Sequence, residues 1–334
     1  MRTKTIAAGV LALSSALSLS SCSSAGTSDA SKPVGQVRPL VDKKNWPKPV
    51  PETGLAKGLS LPLEDYAIPY AERVDWDEAN RILQRRCMKD YGFTVDLPRP
   101  GVNPPPNNNE ANIERRYGIT DRPQAAKYGY DLPPELKKHT KHPFADLPDI
   151  QVEALTGHTK PGTPKPIGEV KGDGGYFAAP PQIKPARTEI NGKKTHKGGC
   201  IGWAKTKLDA PEPDHFTVAS FLGDSLLKSQ ETTAVKNVIA DWSSCMESKG
   251  HVGLADPYEA MEQGAPAGDT ATKKNIALAV DDIDCKEKTG LVKVWFEAEA
   301  KIQRQQIKDN QTKLDEIKQG RAEAAQAAKA VITG

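Results

Sequence analysis

The sequence predicts a mainly α fold: a disulfide-stapled helical bundle with long Pro/Gly-rich irregular loops and a long C-terminal helix. Three observations carry that expectation. Apolar residues recur at helical spacing in a few stretches, the 27 prolines and 27 glycines crowd between those stretches, and cysteines fall on the apolar faces. The hydrophobic share is only 37% of 334 residues, thin for a continuous core, so ordered islands joined by loops are expected. A formal net charge of +3 gives no basic footprint, and no nucleic-acid partner is expected.

Met1-Arg2-Thr3-Lys4 is a short basic start, and Ile6 to Leu19 is an apolar run too short to span a bilayer as a helix. Leu19-Ser20-Ser21-Cys22 follows the bacterial lipobox pattern. Residues 1–21 therefore read as a signal peptide, with cleavage before Cys22 and a diacylglyceryl group on its thiol. The membrane would then be a partner through that N-terminal lipid, "anchored to" and not "spanning". Residues 22–60, rich in Ser, Gly, Pro and Lys, read as the lipidated cysteine and a flexible tether, with Trp46 as the one group able to dock.

The rest divides into an N-terminal helical and irregular half, 61–211, and a C-terminal helical half, 212–334. Asp75-x-x-Glu78 reads as a helix start, and Trp76, Ala79, Leu83 and Cys87 form one face up to Gly92. Arg81, Arg85, Arg86 and Lys89 read as its solvated face. A Pro/Asn loop follows from Leu97 to Asn109. Thr120 or Asp121, Pro123 and Gly129 then mark a short helix. Residues 131–195 show almost no periodicity and read as an irregular excursion, before a short helix around Trp203 and Leu208.

Helix is expected to be continuous from about Phe216. Val235, Val238, Ile239, Trp242 and Cys245 or Met246 make a stripe ending at Gly250. Asp269 or Thr270 reads as the cap of the next helix, whose two stripes (Ile276, Val280, Ile283 and Leu278, Cys285, Val292) imply a helix sandwiched between neighbours. Leu291 to about Val331 reads as one long element whose Ala-rich end, Arg321 to Ala330, projects or frays.

Without Cys22, four cysteines remain: Cys87, Cys200, Cys245 and Cys285. An even number in an exported chain reads as two disulfides, and four cysteines allow three connectivities. Cys-Met-x-x-x-Gly occurs twice, at Cys87–Gly92 and Cys245–Gly250. That repetition favours pairing each Cys-Met helix with the next cysteine, Cys87–Cys200 and Cys245–Cys285.

Asp284-Cys285-Lys286-Glu287-Lys288-Thr289-Gly290-Leu291-Val292-Lys293-Val294-Trp295-Phe296 resembles a block of secreted proteins and lipoproteins of streptomycetes and related actinobacteria. So do Glu114–Tyr130, Gly198–Gly202 and Trp242–Gly250. The resemblance covers most of 70–318. It implies an actinobacterial envelope protein with paired cysteines, and it brings no activity that transfers residue by residue.

Gly223-Asp224-Ser225-Leu226 spells the signature of GDSL-type lipases and esterases, preceded by a strand-like Val218–Leu222. That family places an Asp-x-x-His downstream. Here the only later histidine is His251, so Ser225 lacks its base and a hydrolase is disfavoured. His139 and His142 stand among lysines, which oppose a cation. Asp281, Asp282 and Asp284 spread around a helix and read as solvated or paired with Lys273 or Lys288, so no metal and no cofactor is expected. The expected function is a non-enzymatic accessory or binding component of the cell envelope, an export system being one setting. It would sit on the outer face of the cytoplasmic membrane with an envelope protein as partner. A solute-binding lipoprotein is the weaker alternative, because strand–helix alternation is missing.

Overall fold

A computed structural model describes residues 43–334 apart from 138–143, 145, 163–165, 170–175, 179–182 and 267–269. The signal peptide, Cys22, His139 and His142 lie outside the described residues. Among the described residues the chain is mainly helical, with two short antiparallel hairpins. No helix among them is long and apolar enough to cross a membrane.

The described part of the expected tether lies on the body. Trp46 donates from Nε1 to the Gly101 carbonyl at 3.2 Å and meets Tyr70 edge-on, and Ala56 is fully buried. Helix α1 (Tyr70–Asp90) starts a turn before Asp75, directly after Pro69. Asp75 and Glu78 therefore lie inside it. Glu78 accepts a hydrogen bond from Arg81 at 3.1 Å, and Arg81 also donates to the Leu97 carbonyl at 2.9 Å. Arg81 is thus buried, while Arg85, Arg86 and Lys89 keep the solvated face. The stripe through Ala79, Leu83 and Cys87 is buried as expected, with Trp76 half-buried beside it.

Helix α2 (Ile113–Arg116) is a single turn. Helix α3 (Arg122–Tyr128) has the expected signals: Asp121 accepts from the Gln124 amide, Pro123 is in the first turn and Gly129 ends it. The excursion holds an element its composition hides. Helix α4 (Asp149–Thr156) buries Val152, Ala154 and Leu155 and stops at Gly157. Strands β1 (Pro166–Glu169) and β2 (Tyr176–Ala178) pair, as do β3 (Glu189–Ile190) and β4 (Lys193–Lys194). Helix α5 (Gly199–Leu208) carries Cys200.

Helix α6 (Phe216–Gln230) and helix α7 (Thr233–Ser248) follow. A short helix α8 (Pro257–Gln263), capped by Asp256, lies between α7 and the next long helix. Helix α9 (Lys273–Thr289) is capped by Thr272 with Asn275 reciprocating, two residues beyond the expected Thr270; the alternative, Asp269, lies outside the described residues. It packs against α7 and, as its second neighbour, α3; Leu278 and Cys285 of the second expected stripe lie on α9, whereas Val292 falls beyond Gly290 in α10. The long terminal element is two helices, α10 (Leu291–Asp309) and α11 (Gln311–Thr333). They part at Asn310, whose side chain donates to the Gln306 carbonyl at 2.8 Å. The far end neither projects nor frays. It packs on α1, with Ala324 and Ala328 buried and Arg321 donating to the Ala67 carbonyl at 2.6 Å. Small side chains one turn apart let two backbones come close, which composition read as a solvated tail.

The largest apolar cluster joins residues 61–67 and 111–130 to α6–α10 and the start of α11, around Trp242 and Trp295. Both rings are fully buried, each worth roughly 4–6 kcal/mol of removed apolar surface. A smaller cluster holds Cys87, Met88, Tyr91, Val95, Leu97, Leu155, Ile190 and Cys200. A third, around Leu83, Ala204, Leu208 and Ala328, lies among α1, α5 and α11.

Candidate binding cleft

The cysteines pair as the repeat favoured. Cys87 joins Cys200 with Cα atoms 5.6 Å apart, and Cys245 joins Cys285 at 5.7 Å. Both Cys-Met-x-x-x-Gly segments end in the same cap. The Phe93 amide donates to the Met88 carbonyl at 2.9 Å and the His251 amide to the Met246 carbonyl at 3.0 Å. Gly92 (φ +83°) and Gly250 (φ +90°) supply the left-handed turn that a side chain would resist.

Ser225 is not presented to solvent. It lies inside α6, fully buried, where the strand-like reading of Val218–Leu222 also gives way to helix. Its Oγ donates to Glu299 Oε1 at 2.6 Å and receives Gln303 Nε2 at 2.9 Å. Glu299 also accepts from Arg116 Nε at 2.9 Å and Tyr117 Oη at 2.8 Å. His251 is engaged elsewhere, 2.9 Å from Asp281. This hub holds α2, α6 and α10 together, and the carboxylate that receives the Ser225 hydroxyl is itself held by Arg116 and Tyr117 and closed off from solvent.

The three aspartates of α9 separate as expected, with different partners from those expected. Asp281 pairs with Lys249 and His251, Asp284 with Arg122. Asp282 is fully buried with Lys286 at 2.8 Å and accepts Trp242 Nε1 at 2.9 Å; Lys286 also donates to the Ile119 carbonyl. Burial pushes the Asp282 carboxyl up and the Lys286 ammonium down, and their mutual attraction opposes both shifts. Gly118 makes room for this pair, since a Cβ there would strike Lys286 Nζ. Among the described residues no three His, Cys, Asp or Glu converge on a metal position.

Among the described residues, three cavities lie elsewhere, around the Pro/Asn loop. A shallow cavity of about 510 Å³ is lined by Pro106, Asn107, Asn112, Arg115, Tyr130 and Asp131. A more enclosed one of about 260 Å³ lies between the loop and the start of α1, with Glu64, Asp65, Tyr70, Arg73, Pro105 and Glu110 in its wall. A third, of about 100 Å³, reaches Thr120, Asp121 and Gln124. The loop is fastened from behind. Asn108 donates to the Pro47 carbonyl at 3.0 Å, and Asn109 accepts the Ile113 amide at 2.8 Å. Glu64 accepts the Ala111 amide at 2.6 Å and the Glu110 amide at 3.1 Å. Burial nonetheless pushes the Glu64 carboxyl up, against the pull of those amides. Arg73 and Glu110 form an ion pair of 3.0 Å across this cavity's wall. Burial lowers the pKa of Arg115, and Asp131 opposes that shift.

Sequence reasoning missed this cleft. The signal was present as three consecutive prolines followed by three asparagines, Pro104–Asn109, a stiff segment followed by side chains that bond backbone. Composition alone made it a loop. The chain matches no family model, no curated protein and no solved structure with which it was compared.

Proposed function

We propose that the chain is a lipid-anchored extracytoplasmic protein and a non-catalytic accessory or binding component of the cell envelope. The observation that carries this reading is the use of its five cysteines. Four are committed to two buried disulfides, which persist in an oxidising compartment, and the fifth is Cys22 at the end of the lipobox. The outer face of the cytoplasmic membrane satisfies both demands. The folded body stands as a rigid adaptor, and the cleft beside the Pro/Asn loop is its recognition surface. The burial of Ser225 and its bond to Glu299 weigh against the esterase alternative.

Membrane fractionation tests the anchor. In the producing bacterium the wild-type chain is expected in the membrane fraction and in the detergent phase of a Triton X-114 partition. Cys22→Ala is expected in the medium or the aqueous phase. Retention of Cys22→Ala on the membrane would overturn the lipid anchor.

A further inference from the structure

The more enclosed cavity has a chemistry of its own. Its volume, about 260 Å³, is just under the roughly 300–1,000 Å³ of pockets for drug-sized ligands, room for a single ring. Tyr70 and Pro105 give its wall apolar surface, and the Tyr70 ring is steadied by Trp46 at 4.9 Å. Asp65, Asn107, Glu110 and Arg73 surround that surface with flat polar groups; Glu110 and Arg73 hold each other and Asn107 donates to Asn112, while the exposed Asp65 carboxylate can meet two neighbouring hydroxyls at once. Apolar surface for the C–H face of a ring, rimmed by carboxylate, amide and guanidinium, is what a pyranose requires.

Charge narrows the choice. Glu110 is paired with Arg73 and Glu64 is turned to two backbone amides, so the exposed Asp65 carboxylate sets the excess charge of the wall. That local excess of carboxylate repels a polyanion and favours a neutral or cationic ring. We propose that the cavity between the Pro/Asn loop and the start of α1 binds a pyranose unit of a neutral or amino-substituted glycan. This rests on the reading of the chain as an envelope binding component and names what the recognition surface takes.

Calorimetric titration of the purified full-length chain with three tetrasaccharides tests it: N-acetylglucosamine, glucosamine and galacturonic acid. The neutral and the amino tetramer are expected to bind, the amino form at least as tightly, and the acidic one not to bind. Asp65 is exposed and can be changed without disturbing the fold. Asp65→Asn should weaken the glucosamine tetramer several-fold and Asp65→Lys at least tenfold, with circular dichroism unchanged. No heat from the neutral tetramer, equal binding of the galacturonate, or indifference to Asp65→Lys would each overturn the proposal. Membrane retention is measured independently, so the anchor and the glycan site can fail separately.

Discussion

The two disulfide corners share a sequence motif and a helix cap but live in different surroundings. Cys245–Cys285 ties α7 to α9 inside the largest apolar cluster, beside Trp242, the Asp282–Lys286 pair and α3. Cys87–Cys200, 113 positions apart, ties α1 to α5 across a small cluster and closes a stretch of loop, α4 and short hairpins from which, among the described residues, only the α2–α3 segment reaches the large cluster. A local motif therefore fixes how a helix ends and says nothing of how much depends on it. Packing around the bridge decides that.

Removing each bridge in turn tests this most strongly. Loop entropy alone assigns roughly 5 kcal/mol to the longer loop and roughly 4 to the shorter, too close to separate them. The surroundings separate them. Cys87→Ala/Cys200→Ala should release residues 131–199 to early protease cleavage, while residues 111–130 stay held by the large cluster, and lower the urea midpoint more than Cys245→Ala/Cys285→Ala does. Equal losses, or first cleavage within α7–α9, would mean the large cluster depends on its bridge just as heavily.

The next test concerns the fully buried ion pair of the large corner. Lys286→Met leaves Asp282 buried without its cation and should cost about 3–5 kcal/mol. Asp282→Leu with Lys286→Met should recover most of that loss, because an apolar pair of similar size needs no desolvation. A double variant as unstable as the single one would show that Trp242 and the Ile119 carbonyl, both bonded to the pair, carry the specificity of this corner.

The two corners also differ in how far the sequence exposed them. In the large one, the Val235–Met246 stripe, the two-sided α9 and the pairing with Cys285 were legible because helical periodicity and burial coincide there. The buried Asp282–Lys286 pair was not. At i,i+4 on a charged helix it looks like any surface pair, and only α3 and the Gly118 turn, some 165 residues upstream, close over it. In the small corner α4 was hidden among prolines and glycines, since eight residues give barely two turns of pattern. The end of α11 was misjudged for the opposite reason: alanine serves equally for solvation and for close packing, and only α1 decides between them. The cleft was illegible because its walls come from three separate segments.

Acid should separate the corners as well. Glu153 of α4 is held at a pKa of about 2, below the ordinary 4.5, by the Arg187 guanidinium and then by the Arg187 amide, at 2.9 and 3.0 Å. A depressed carboxyl contributes stability in full above its unfolded pKa and loses it as pH falls through the folded value. The small corner should therefore weaken between about pH 4.5 and about 2, read by hydrogen exchange at Val152–Leu155. Glu153→Gln should be less stable at neutral pH and lack that acid step. A wild-type profile flat across this window would remove the Glu153–Arg187 contact from the small corner's stability.

The smallest expected effects lie in the glycines and sharpen the contrast from the backbone side. In the small corner the chain needs them. A Cβ at Gly202 of α5 would strike the Lys197 carbonyl, and one at Gly157 would come within 2.6 Å of the Gly199 amide. Gly202→Ala should therefore destabilise, by about 1–3 kcal/mol as for an overpacked core position. Gly223 of α6 belongs to the large cluster's side of the molecule, is exposed, and has nothing within 4 Å of its Cβ position. Alanine there should stabilise by about 0.5–1 kcal/mol, the helix-interior cost of glycine, and raise the melting temperature by a few degrees. Opposite signs at two helical glycines would show that the thinly packed corner holds its shape through close backbone approach. If Gly202→Ala proved harmless, that corner would have slack its geometry denies, and its disulfide would be the main constraint on it.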